Sequence, residues 1–132
     1  PREISAVMAA AKTSDDSWGR VVAVFQPNRY NRMAVMSDEY AMAFVDADVV
    51  VITDIYASGT QKIEGVTGHL VVDAVTRAQV NSQVHWHEER TSLAQFVNRI
   101  LRPGDVCISM GCGDIESLPR ELLDVRSGVT RS

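Results

Sequence analysis

The chain has 132 residues, 45% of them hydrophobic, which suits one domain with a buried core and is short for two. Its net charge of −4 at pH 7, without any long basic run, lacks the cationic stripe that a nucleic-acid surface needs. No stretch approaches a membrane span, no secretory signal is visible, and two cysteines are too few for a disulfide scaffold, so a cytoplasmic, reducing location is expected.

In chain order, Ile4, Val7, Met8 and Ala11 fall at helical spacing and predict a helix over Arg2 to Lys12, with Pro1 at its start. Such a helix wants its cap residue just upstream, so residues 1–132 read as a single domain excised from a larger protein. Thr13 to Gly19 is a polar turn. Val21 to Phe25 is a β-branched and aromatic run, as in a strand buried on both faces. A helix is predicted from about Arg32 to Val45, with Met33, Met36, Tyr40 and Phe44 as its core stripe. Val49 to Thr53 is the second strand. Ile55 to Gly68 is a loop with three glycines, and its length hints at function. A helix over Thr67 to about Ala78 is followed by a weaker strand at Gln83 to Trp86. Thr91 can cap a helix to Leu101 that Arg102-Pro103-Gly104 ends. Asp105 to Met110 is the last strand, and Ile115 to Val125 the last helix, broken or kinked near Pro119. Arg126 to Ser132 reads as a frayed end. This alternation predicts right-handed βαβ units, a mostly parallel sheet and a Rossmann-like three-layer α/β domain.

The segment Phe25-Gln26-Pro27-Asn28-Arg29-Tyr30-Asn31-Arg32 occupies a strand-to-helix turn, where ligands sit in open parallel α/β sheets. Once a helix begins, Arg29 and Arg32 share one face. Two guanidinium forks beside a first helical turn suit a carboxylate or a phosphate. From spacing alone, two solvated surface arginines fit equally well.

Other motifs carry less. Gly111-Cys112-Gly113-Asp114 also lies between a strand and a helix, and its glycines allow close backbone approach to a ligand or a plain tight turn. It lacks the three-glycine dinucleotide fingerprint. No Gly-x-x-x-x-Gly-Lys-Ser/Thr occurs, so the chain has no phosphate-binding loop of its own. His85 and His87 would share a strand face, but that pair falls short of a metal site and reads as a solvated strand end. Cys107 lies in an apolar strand pattern and Cys112 in the glycine turn, so the first is expected to be buried and the second reachable.

The turn around Arg29 is similar to the Phe-Gln-Pro-His-Arg-Tyr-Thr-Arg signature of the alanine-adding branch of the Mur ligase family, in its C-terminal domain. Pro1-Arg2-Glu3-Ile4, the run from Ala47 to Gly59, Leu101-Arg102-Pro103-Gly104-Asp105 and Met110-Gly111-Cys112-Gly113-Asp114-Ile115 resemble further family landmarks in the same order. The likeness runs from the first residue to about Leu123. Asn28 and Asn31 stand where the family has histidine and threonine, and Cys112 where it usually has alanine.

The resemblance implies a sheet of about six strands with one antiparallel edge, including short strands near Tyr56 and Val125. It implies part of an ATP-dependent ligase of peptidoglycan synthesis that activates the lactyl carboxylate of UDP-N-acetylmuramate as an acyl phosphate for attack by L-alanine. ATP and Mg2+ would be bound mainly by a central domain of the same chain, leaving the isolated domain inactive. Asn28, Arg29, Tyr30 and Arg32 would contact substrate, with Gly111, Gly113 and Asp114 as a possible ligand-facing turn; no residue is assigned to catalysis or to a metal. Neither nucleic acid nor membrane is expected as a partner. Two other readings stand beside this one. A related ligase that recycles murein peptide shares the domain but lacks the paired-arginine tyrosine motif. A freestanding Rossmann-like binding module would have no ligase partner.

Overall fold

The computed structural model describes residues 20–78, 83–111 and 113–126. The expected first helix, the turn after it, Cys112 and the last six residues lie outside this set. Strand β1 is Val21–Phe25, β2 Val49–Ile52, β3 Gln83–Trp86 and β4 Val106–Met110. Helix α1 is Tyr30–Met36, α2 His69–Ala78, α3 Leu93–Ile100 and α4 Leu118–Arg126.

The four strands form one sheet in the order β3-β2-β1-β4, and every pairing is parallel. Val22 pairs with Val49 on one side of β1 and with Cys107 on the other. β1 and β2 are central and buried throughout, which explains their unbroken valine-rich sequences. β3 and β4 are the edges among the described residues, and their side chains are only partly covered.

Alternate side chains of the central strands build two cores. Ala23, Phe25, Val50 and Ile52 pack with Met33, Phe44, Val71 and Val75 on one face. Val22, Val24, Val49 and Val51 pack with Leu93, Val97, Leu118 and Leu122 on the other. The sheet is thus covered by α1 and α2 on one side and by α3 and α4 on the other, the expected three layers. Chain progress runs outward from β1 to β3 and then returns past β1 to β4. The order therefore reverses between β1 and β4, and open parallel α/β sheets bind ligands beyond the carboxyl ends of their strands at such a reversal.

Two expectations need correction. The described residues show four parallel strands, not six with an antiparallel edge. Tyr56 makes a single bridge with Asn28, and Val125 lies inside α4. The helix expected from Arg32 to Val45 starts at Tyr30, ends at Met36 and tightens into a 3-10 turn over Ser37–Tyr40. The apolar stripe survives the change, since Met33, Tyr40 and Phe44 are all buried. The break expected near Pro119 is present: a 3-10 turn over Asp114–Ser117 gives way to α4 at Leu118, just before Pro119. The proline sits in the first turn of α4, where its missing N–H costs nothing.

The amino ends of the strands are tied down separately. Arg20 donates from Nε and Nη2 to Asp105 at 3.1 and 2.7 Å, and again from Nη2 to the Ile100 carbonyl at 3.0 Å. Asp48 accepts the Val21 N–H at 2.8 Å. These contacts lie at the opposite end of the sheet from the turns that follow the strands.

Candidate functional site

The site is built from the turns that follow the four strands. After β1 the chain continues to pair with the segment after β2. The Thr53 N–H donates to the Phe25 carbonyl at 3.1 Å, Tyr56 N–H to Pro27 at 2.9 Å, and Arg29 N–H to Tyr56 at 2.9 Å. This fixes the backbone of Arg29 at φ 67° and ψ 125°, a region that side chains other than glycine rarely occupy. Arg29 is also the cap residue of α1, and its carbonyl accepts the Met33 N–H at 3.1 Å. Its side chain makes no capping bond. The first helical N–H, that of Tyr30, is taken instead by Thr60 Oγ1 at 3.1 Å, reaching over from the loop after β2.

That loop, long in sequence, is closed at its base by one carboxylate. Asp54 Oδ1 accepts the N–H groups of Ile55 at 2.8 Å and Gly68 at 2.9 Å. Gly68 has no room for a side chain, because a Cβ there would lie 2.5 Å from the Thr53 carbonyl oxygen.

The turn after β4 meets the turn after β1 through Gln26, a buried polar residue. Its Nε2 donates to Asp114 Oδ1 at 2.7 Å and its Oε1 accepts the Ile115 N–H at 3.2 Å. Gly113 lies under the Tyr56 ring, and a Cβ there would also come within 2.6 Å of Gln26 Oε1. Gly111, at φ 146°, leaves no space for one either, with the Gln26 carbonyl oxygen 2.8 Å from where it would stand. The glycines of this turn thus admit the chain's own Gln26 and Tyr56.

From the turn after β3, Arg90 reaches the same place. It donates to Asp114 Oδ1 at 3.1 Å, to the Asp114 carbonyl at 2.8 Å, and to both Glu121 oxygens at 2.9 and 2.7 Å. Hydrogen bonding to Glu121, then the charges of Glu121 and Asp114, hold the Arg90 pKa above its ordinary value against the cost of burial.

Of the residues singled out in the sequence, Asn28, Arg29, Tyr30 and Arg32 share the turn after β1 and the start of α1. The side chains differ in access. Arg29 and Arg32 are exposed and Tyr30 is buried. Neither arginine is hydrogen-bonded or ion-paired through its side chain to another described residue. Asn28 is half-buried, and its Oδ1 is enclosed without a hydrogen-bond partner among the described residues. Gly111, Gly113 and Asp114 adjoin that turn through Gln26 and Tyr56. His85 and His87 do share a face, but it is partly covered by the Phe96 ring, which stacks on His87 at 4.6 Å. Among the described residues no three His, Cys, Asp or Glu side chains gather as a metal site.

Gln26, Tyr56, Thr60 and Arg90 were not marked as site residues by sequence. Gln26 and Tyr56 lie inside the quoted motifs, so a signal existed for them. Arg90 follows two glutamates and reads as an ordinary surface charge, with partners 24 and 31 residues away.

The donor set does not fit ATP and Mg2+ as a resident pair. The sequence has no phosphate-binding loop, the glycine turn is filled by protein, and among the described residues no three His, Cys, Asp or Glu side chains are placed to hold a metal ion. No helix among the described residues is long and apolar enough to cross a membrane.

Known proteins are similar to this chain in sequence and in fold. The family described as "Mur ligase, glutamate ligase domain" matches residues 1–113. The UDP-N-acetylmuramate–L-alanine ligase of Gloeothece citriformis is 41% identical over 125 residues, covering 93% of this chain and 25% of that protein. The enzyme of the same name from Microcystis aeruginosa is 39% identical over 127 residues, covering 95% of this chain and 26% of its own. That from Rickettsia rickettsii is 39% identical over 123 residues, with 92% and 25% covered. The chain thus spans about a quarter of the length of these curated relatives. The fold is shared with a murein peptide ligase from Psychrobacter arcticus, at a TM-score of 0.71 and 18% identity, over 100% of this chain and 26% of that one. With the family matched over most of its length, this chain belongs to the Mur ligases and carries their glutamate ligase domain.

Proposed function

We propose that this domain holds the amino acid in an ATP-dependent ligase that joins L-alanine to UDP-N-acetylmuramate. One observation carries the reading. Arg29 stands exposed at the strand-order reversal in a backbone conformation that costs a non-glycine residue roughly 1–3 kcal/mol. Glycine would relieve that cost, so arginine at this position points to a need for its guanidinium. Arg29 and Arg32 would together bind the carboxylate of the incoming amino acid, whose amine then faces the reacting carbonyl. Asn28 would supply a hydrogen bond in the same turn, and Tyr30, buried, would keep α1 seated. Asp114, exposed, would border the ligand from the turn after β4, while Gly111 and Gly113 make room for Gln26 and Tyr56 behind it.

ATP and Mg2+ would supply the activated acyl group from a central domain of the full-length protein. This domain would close on that centre and exclude water. The chain by itself is then expected to show no turnover.

The test is amine selectivity of the full-length ligase with UDP-N-acetylmuramate, followed as ADP release. L-Alanine should be preferred over a murein tripeptide. Preference for the tripeptide would favour the recycling ligase, and no amine-dependent ADP release would reject the ligase reading.

A further inference from the structure

Asp114 places an exposed carboxylate at the edge of a crevice proposed to receive another carboxylate. Its side chain is 54% exposed, whereas that of Arg90 is 17% exposed. The turns bearing Asp114 and Arg29 adjoin. Tyr56 accepts the Arg29 N–H through its backbone and lays its ring over Gly113, the residue before Asp114. Gln26, three residues before Arg29, bonds Asp114 directly. Without a cation at its side, Asp114 would put a negative charge beside the ligand, and like charges close together oppose binding; Glu121 is the second carboxylate that meets Arg90. Arg90 is the cation placed between them, bonded to both carboxylates and to the Asp114 carbonyl.

We propose that Arg90 is a positioning residue of the ligase, which neutralises Asp114 and fixes its backbone so that the crevice accepts an anionic amino acid. This rests on the amino-acid-binding reading above. Arg90 does not touch the ligand; it acts through Asp114 and, through Gln26, on the turn that carries Arg29. Two contributions follow from its contacts. The charge contribution depends on the carboxylate of Asp114, and the geometric one on the bond to its carbonyl. They separate by experiment, because asparagine at position 114 would keep an oxygen for Gln26 but remove the charge.

The test uses the full-length ligase in four forms: wild type, Arg90→Ala, Asp114→Asn and the double variant. KM for L-alanine and kcat are measured at low and high salt, beside the melting temperature. Arg90→Ala should raise KM about fivefold at low salt, with a smaller change in kcat and a weaker effect at high salt. The double variant should recover most of that KM even though it melts no higher than Arg90→Ala. A double variant as impaired as Arg90→Ala, or an unchanged KM in Arg90→Ala, overturns the proposal. If the wild type works only with a peptide amine, the alanine reading fails, and the same comparison on that peptide decides the role of Arg90. A wild type that accepts no amine overturns both.

Discussion

Gln26 and Asp114, 88 residues apart in sequence, meet at 2.7 Å just beyond the carboxyl ends of the paired strands β1 and β4. The contact joins the turn that carries the arginines to the turn that carries the glycines. Gln26 suits the position because one amide end donates to Asp114 while the other accepts the Ile115 N–H. Gln26→Glu should reverse the first of these contacts by setting a new carboxyl against Asp114. Its pKa in the folded state would be raised, so the variant should lose about 2 kcal/mol at pH 7 and recover part of it near pH 5. Urea denaturation at both pH values checks this. Equal losses at the two would mean that charge is not the cause.

The central strands were legible in the sequence because buried parallel strands are continuous apolar runs, and Val21 to Phe25 and Val49 to Ile52 show nothing else. The end of α1 was not, since Met33, Tyr40 and Phe44 satisfy a helical period whether the backbone between them is α, 3-10 or turn. At the site, the arginine turn was visible as a motif. Its supports were not. Thr60 caps α1 from 30 residues away, and Arg90 reaches Asp114 across 24, distances at which a single sequence carries no pairing signal.

Asp105 offers a pH test of the far end of the sheet. Hydrogen bonding from Arg20, with further help from the Arg102 N–H, holds its carboxyl below the usual carboxylate range despite burial. A lowered folded-state pKa gives stability that is present above about pH 4 and is lost as pH falls through the folded value. Asp105→Ala should therefore cost about 2 kcal/mol at pH 7, and clearly less near pH 2.5. Stability curves across this range would show the difference narrowing; a constant gap would assign the loss to packing.

Cys107 should be a slow thiol. It is half-buried in β4 opposite Val22, and burial pushes its pKa up to about 11. At pH 8 its thiolate population, and so its reaction with a maleimide, should fall roughly a hundredfold below that of an unfolded thiol. The raised value also makes stability, complete below about pH 8.5, decline as pH rises toward 11. Cys107→Ala should flatten that alkaline decline. Fast labelling of the native Cys107 site, identified by peptide mapping, would contradict its placement.

Arg29 carries the sharpest prediction, because its fold and function requirements oppose each other. Its positive φ favours glycine, and its backbone is held by Tyr56 and Met33 without help from the guanidinium. Arg29→Gly should therefore leave the protein as stable or raise stability by up to about 1 kcal/mol. Arg29→Ala, which keeps the Cβ, should gain none of this. Both should lose a charge-assisted carboxylate contact of about 1.5–3 kcal/mol, a tenfold or larger rise in KM for L-alanine. Arg32→Ala, on an exposed helical face, should raise KM with little change in melting temperature. The measurement is KM for L-alanine and melting temperature of each variant in the full-length ligase. If Arg29→Gly keeps the wild-type KM, the guanidinium is not a substrate contact. If it melts well below wild type instead, the arginine serves the fold.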